Sequence, residues 1–238
     1  MSGHSKWKQI KHKKASTDAK RGQLFSKLVR EIMVASKTGG SDPETNLNLR
    51  STIERARSQG LPKGNIERAI EKTKSLGEAN SLQEFLLEAM APERALILIK
   101  GITDNKNRSL AELKHLLANY GARPADPGSL LWNFEKVGTL TIPESTKTTG
   151  EYELSIIEAG AKDIFFADSL WIVETLFEDR DRVRKNLEKQ GISIREAGMD
   201  YKPKNPLWIS EEKTTALEPL LEALSDHDDV QDVYTNVQ

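Results

Sequence analysis

The chain has 238 residues with 37% hydrophobic and 30% charged content, a globular balance that excludes wholesale disorder and leaves room for two or three compact units. It has no cysteine, which excludes disulfides and thiolate chemistry and makes a reducing cytoplasm the expected location. The net charge is −1, yet residues 1–75 carry 17 Lys/Arg against 7 Asp/Glu (+10) while residues 76–238 carry 18 against 29 (−11), so one end is suited to a polyanion.

Residues 1–15 read as a basic arm. Lys6, Lys8, Lys11, Lys13 and Lys14 are interleaved with Trp7, Ile10 and His12, and no acid occurs before Asp18. The arm lacks the apolar run of a secretory signal, and no stretch of the chain approaches the roughly 18 apolar residues of a membrane span. Cationic on nearly every face, the arm is expected to stay loose in free solution.

Three helices are expected next. The first runs from about Thr17 to Ser36, with Leu24, Leu28, Ile32 and Ala35 at spacings of four, four and three as its inner stripe, widened by Phe25 and Val29. Ser16 or Thr17 is its expected N-cap and Gly39-Gly40 its stop. The second follows Asp42-Pro43, with Leu49, Ile53 and Ala56 inward and Gly60 as its end. Pro62 suits the first turn of the third, where Ile66, Ala69 and Ile70 face inward. Such a head, roughly 60 residues long, is marginal alone.

After a linker at Gly77–Ser81 the period changes. Phe85–Met90 and Leu96–Ile102 read as strands, and Asn107–Tyr120 as a helix with Leu110, Leu113, Leu116 and Leu117 inward. Leu130–Phe134 and Thr139–Ile142 read as a hairpin around Val137-Gly138. Then come a helix at Tyr152–Ala159, strands at Ile164–Phe166, Leu170–Thr175 and Ile192–Ala197, and a charged helix at Asp179–Gln190. A last helix, Glu211–Leu224, leads to a strand at Val230–Thr235. The expected fold class is α+β: a helical head and two small α/β domains, not a doubly wound sheet. The C-terminus is expected to fold back, giving units 1–77, 78–143 plus 205–238, and an inserted 144–204.

Gly3-His4-Ser5-Lys6-Trp7, Ile10-Lys11-His12-Lys13-Lys14 and Asp18-Ala19-Lys20-Arg21-Gly22 closely resemble the opening signature of the YebC/PmpR family. Further matches follow in order: Gly39-Gly40 with Asp42-Pro43, Ile66 with Arg68-Ala69-Ile70, Thr103-Asp104-Asn105 with Asn107-Arg108, Gly128-Ser129, Asp229-Val230-Gln231 and Val233-Tyr234. The resemblance spans essentially the whole chain. It implies a helical head and two α/β domains, the third inserted in the second. It also implies a DNA-binding transcriptional regulator, while a mitochondrial relative that acts in translation leaves RNA or the ribosome as the alternative target. The chain departs from the family at Ala91-Pro92-Glu93-Arg94-Ala95, where a glycine-rich turn is usual, so no function of that turn carries over.

The candidate nucleic-acid-binding residues are Lys6, Trp7, Lys8, Lys11, His12, Lys13 and Lys14 of the arm, with Lys20, Arg21, Lys27 and Arg30 on the first helix, opposite its apolar stripe. Lysine and arginine neutralise phosphates and release counterions, while Trp7 and His12 can stack on exposed bases. Asp104 or Asn107 is expected to cap the helix that follows, and Asp226-His227-Asp228-Asp229 to form a solvated turn in preference to a metal site. His4, His12, His115 and His227 have no zinc-site spacing, and no phosphate-cradling or nucleophile-elbow motif occurs. The expectation is therefore a non-enzymatic nucleic-acid-binding regulator with no cofactor, metal, membrane or small-molecule partner.

Overall fold

Leu28, Ile32, Met33 and Ala35 are buried along one side of the first helix, so the four-four-three stripe does organise the head. The computed structural model describes residues 18–75, 82–143, 149–167 and 169–238. Helix α1 (Asp18–Gly39) packs against α2 (Leu47–Ser58) and α3 (Lys63–Ser75), closing a core with Leu49, Ile53, Ala56, Leu61, Ile66 and Ala69. Ser16 and Thr17, the expected caps of α1, lie outside the described residues.

One buried side chain sets the angle between α1 and α2. Asn46 Oδ1 accepts from Leu49 N–H at 3.0 Å, capping α2. Its Nδ2 donates to the carbonyls of Ala35 at 2.8 Å and Gly40 at 2.7 Å, answering groups that α1 leaves unpaired. A Cβ on Gly39 would lie 2.7 Å from Asn46 Cγ, so only glycine admits this contact.

Beyond the head, two four-stranded antiparallel sheets form. The first joins β1 (Gln83–Met90), β2 (Leu96–Thr103), the short β3 (Arg123–Pro124) and β8 (Val230–Thr235) in the order β3-β1-β2-β8. Helices α4 (Lys106–Asn119) and α7 (Glu211–Asp226) cover one face through Leu113, Leu117, Leu217, Leu221 and Leu224, packed on Phe85, Leu87, Ile97 and Ile99. The second joins β4 (Phe134–Pro143), β5 (Asp163–Ala167), β6 (Leu170–Leu176) and β7 (Glu196–Pro203) in the order β5-β6-β4-β7. Helices α5 (Thr149–Glu158) and α6 (Arg180–Lys189) cover it through Tyr152, Ile156, Val183 and Leu187.

The α+β class and the insertion follow the sequence reading, with β8 returning to pair with β2. Three local expectations are corrected. Residues 134–143 are one continuous strand, not a hairpin around Val137-Gly138. Gly138 sits mid-strand because a Cβ there would lie 2.7 Å from Arg180 Cβ; it serves close packing, not a turn. Because β4 pairs with both β6 and β7, it belongs to the inserted sheet, and the boundary expected after residue 143 falls before Phe134. The strand expected at Ile192–Ala197 is Glu196–Pro203, with Ile192 and Ile194 reaching the core from the preceding loop.

The loop into β4 is organised by a buried carboxylate. Glu88 accepts from the N–H groups of Leu130 at 2.6 Å, of Leu131 at 2.9 Å and of Gly128. Glu88→Ala, which strands three donors, is expected to lower unfolding stability by about 2–4 kcal/mol in urea titration. A loss under 1 kcal/mol would show that water replaces the carboxylate.

The β1–β2 turn adopts the left-handed conformation that glycine favours, but without glycine: Glu93 has φ 62° and Arg94 φ 63°. Each such residue costs roughly 1–2 kcal/mol, against about 0.5–1 kcal/mol of added chain entropy for glycine. Arg94→Gly is therefore expected to raise stability by up to about 1 kcal/mol. Calorimetric melting checks this; a lowered midpoint would show that the Arg94 side chain outweighs the strain.

Candidate nucleic-acid interface

Of the eleven candidate residues, Lys6, Trp7, Lys8, Lys11, His12, Lys13 and Lys14 lie outside the described residues. The remaining four lie on α1 and divide into two pairs. Lys20 and Arg21 are exposed, with the Arg21 guanidinium 5.6 Å from the Phe25 ring centroid. Lys27 and Arg30 are half-buried and turn toward the body.

Their partners lie in the turn between α7 and β8. Lys27 Nζ donates to the Ser225 carbonyl at 2.6 Å. Arg30 Nη1 donates to the Asp228 carbonyl at 2.6 Å and to Asp229 Oδ1 at 2.9 Å. Gln23 adds bonds to Asp228 Oδ1 at 3.1 Å and to the Asp226 carbonyl. Part of the helix face expected to be free for phosphate is therefore occupied by an acidic turn of the same chain.

Asp229 is the centre of this latch. It is buried, and besides Arg30 it accepts from Ser109 Oγ at 2.6 Å and faces Arg108 Nη2 at 3.4 Å. Its own carbonyl accepts from Ile102 N–H at 2.8 Å, fixing the start of β8 to the end of β2. Its N–H donates to His227 Nδ1 at 3.2 Å, which leaves His227 Nε2–H to donate to Glu112 at 3.2 Å. Burial pushes the Asp229 carboxyl up. The Ser109 hydroxyl, Arg30, Thr103 and Arg108 outweigh this and hold it below the usual carboxylate value.

The sequence reading of Asp226–Asp229 as a solvated turn holds for Asp226 and Asp228, which are exposed, and is corrected at Asp229, which is buried among donors from α1 and α4. No group of three metal-ligating side chains occurs among the described residues. The cap of α4 is Asn105, whose Oδ1 accepts from Arg108 N–H at 3.1 Å, and neither Asp104 nor Asn107. Asp104 instead pairs with the Arg108 guanidinium at 2.8 Å. The other flank of the head docks on the inserted domain through Arg184–Glu54 at 2.9 Å and through Arg55, which meets both Glu31 and Glu196. Periodicity signalled none of the interdomain partners, which lie more than 100 residues apart in the chain.

A helical head, two antiparallel sheets and an inserted third domain, with a cationic N-terminal end, define a three-domain α+β protein. The TACO1/YebC N-terminal domain matches residues 5–76, and the TACO1/YebC second and third domain matches residues 82–237. The chain belongs to the TACO1/YebC family. A probable transcriptional regulatory protein of Pseudothermotoga lettingae is 42% identical over 239 residues, covering 100% of this chain and 94% of that protein. A protein of the same description from Thermosipho melanesiensis is 43% identical, covering 99% and 93%. The crystal structure of a conserved hypothetical protein from Aquifex aeolicus superposes with a TM-score of 0.89 at 39% identity, covering 98% of this chain and 97% of that one. No helix among the described residues is long and apolar enough to cross a membrane.

The latch makes a pH-dependent prediction. A carboxyl depressed in the folded state contributes stability that is present above its unfolded value, about 3.9, and lost as pH falls through the folded value. Asp229→Asn is expected to cost about 1–3 kcal/mol near neutral pH. The difference from the parent should shrink as pH drops through the acid range where Asp229 itself protonates. Urea titrations of both proteins across pH check this; a constant difference down to the lowest accessible pH would remove the charge from the explanation.

Proposed function

We propose that this protein is a regulator that acts by binding nucleic acid through its N-terminal arm and the exposed start of α1, and not by catalysis. The observation that carries the reading is the charge division: +10 over residues 1–75 against −11 over the remainder. A cationic end on an acidic body directs a polyanion to one place and repels it elsewhere. Lys20 and Arg21, exposed on the first turns of α1, follow the arm directly in the chain. The relatives' description as probable transcriptional regulatory proteins makes duplex DNA the first target to test.

Affinity should be measured against salt for promoter duplex, scrambled duplex and single-stranded RNA. Tighter binding to promoter than to scrambled duplex supports transcriptional control. Preference for single-stranded RNA would move the reading to a ribosome- or RNA-associated translation factor, and equal binding to both duplexes would remove sequence-specific regulation. Replacing Lys11, Lys13 and Lys14 with Ala is expected to lower the salt slope of log affinity by roughly 2–3 while leaving the melting temperature unchanged. Trp7→Ala is expected to cost about 1–3 kcal/mol of binding with little change in slope if Trp7 stacks on a base. Unchanged affinity in the triple-lysine variant would overturn the arm as the binding element.

A further inference from the structure

Lys20, Gln23, Lys27 and Arg30 follow one another at spacings of three, four and three, a single row roughly 15 Å long on one side of α1. Lys20, at its start, is exposed. The other three all meet the turn that leaves α7. Gln23 Nε2 donates to the Asp226 carbonyl and to Asp228 Oδ1 at 3.1 Å, Lys27 Nζ to the Ser225 carbonyl at 2.6 Å, and Arg30 Nη1 to the Asp228 carbonyl at 2.6 Å and to Asp229 Oδ1 at 2.9 Å. Every acceptor in this set is an oxygen, from three carbonyls and two carboxylates. Ser225 and Asp226 close α7, whose end carbonyls carry partial negative charge and whose last turn has no basic side chain of its own. The turn therefore presents to α1 what a phosphodiester strand presents, a run of acceptor oxygens bearing net negative charge.

The contact can separate without leaving a charge stranded. The head and the second domain close separate apolar cores, and the bonds named on this flank are all polar. When Arg30 leaves, Asp229 keeps Ser109 Oγ at 2.6 Å and Arg108 Nη2 at 3.4 Å, and its carbonyl keeps the Ile102 N–H, so the turn holds its place on the second domain. Lys27 and Arg30 are half-buried, which leaves the seam open to solvent at its edge. A phosphate that takes their place exchanges oxygen for oxygen at the same donors.

We propose that Gln23, Lys27 and Arg30 form a second phosphate-binding surface in one row with Lys20, and that the Asp226–Asp229 turn is a built-in competitor that holds it closed until a polynucleotide displaces it. The inference rests on the nucleic-acid reading above. Bound phosphate and docked turn exclude one another on these three side chains, so each weakens the other by the same factor. Binding at α1 therefore frees this flank of the head from the second domain.

The test uses the full chain and two fluorescein-labelled probes, an oligouridylate of about 20 nucleotides and a mixed-sequence duplex of similar length, titrated across salt. Asp228→Asn/Asp229→Asn, which weakens the hold of the turn, is expected to bind about 3- to 10-fold more tightly than the parent and to steepen the salt slope by roughly 1.4–1.8, two added phosphate contacts. Adding Lys27→Gln/Arg30→Gln to that variant should abolish the gain. A gain that persists without Lys27 and Arg30 comes from lost acidic charge alone and overturns the proposal. Because the chain has no cysteine, Gln23→Cys/Asp228→Cys supplies a reversible lock. Closed with oxidised glutathione, it should bind more weakly and with a shallower slope than after reduction with dithiothreitol. Equal binding by the locked and reduced forms overturns the proposal independently of any effect of the Asn variants on folding. If the lock changes nothing while the triple-lysine arm variant is impaired, the α1 surface falls and the arm reading stands. If the arm variant binds like the parent while the lock weakens binding, the arm reading falls and α1 becomes the principal site. Failure of both the parent and the reduced double-cysteine protein to bind either probe removes both readings.

Discussion

The carboxylate of Asp229 ties the head to the second domain, two units that close on separate hydrophobic cores. It receives Arg30 from the head, Ser109 and Arg108 from the start of α4, and through its backbone it holds the end of β2. A buried carboxylate is costly unless its lone pairs are answered, and here the donors come from both domains at once. Moving the head away would remove Arg30 and leave the carboxylate to Ser109 and Arg108 alone, so this polar contact favours the docked placement of the head.

The contrast with the cores is physical. Each domain closes on its own apolar cluster, and the described residues of the head reach the body largely through charged and polar groups: Gln23, Lys27 and Arg30 on one flank, Glu54 and Arg55 on the other. Polar interdomain contacts are weaker and more salt-sensitive than apolar ones, so adjustment of the head against the body is the default behaviour of such an assembly. The second and third domains share the small apolar contact of Phe134, Leu98 and Tyr234, which holds them more firmly.

This arrangement bears on how a polyanion would be met. The acidic turn after α7 occupies Lys27 and Arg30, while Lys20 and Arg21 stay exposed at the start of α1. To reach Lys27 and Arg30, a phosphate backbone would have to displace the carbonyls and the carboxylate of that turn.

The sequence by itself determined the elements whose cause is local: the stripe Leu24, Leu28, Ile32 and Ala35 of α1, the hairpin strands on either side of Ala91–Ala95, the final strand at Val230–Thr235, and the charge division that singles out the N-terminal end. Periodicity and composition report on one segment at a time, and these features need no more. The tertiary structure decided what depends on distant partners. Gly138 looked like a turn residue until Arg180 was seen packed across it. Asp229 looked solvated until Arg30 and Ser109 converged on it from residues about 200 and 120 positions away. Two cations of α1 looked free because the sequence could not show that the neighbouring acid, Glu31, pairs with Arg55, nor that the turn holding Lys27 and Arg30 is brought within reach by the fold.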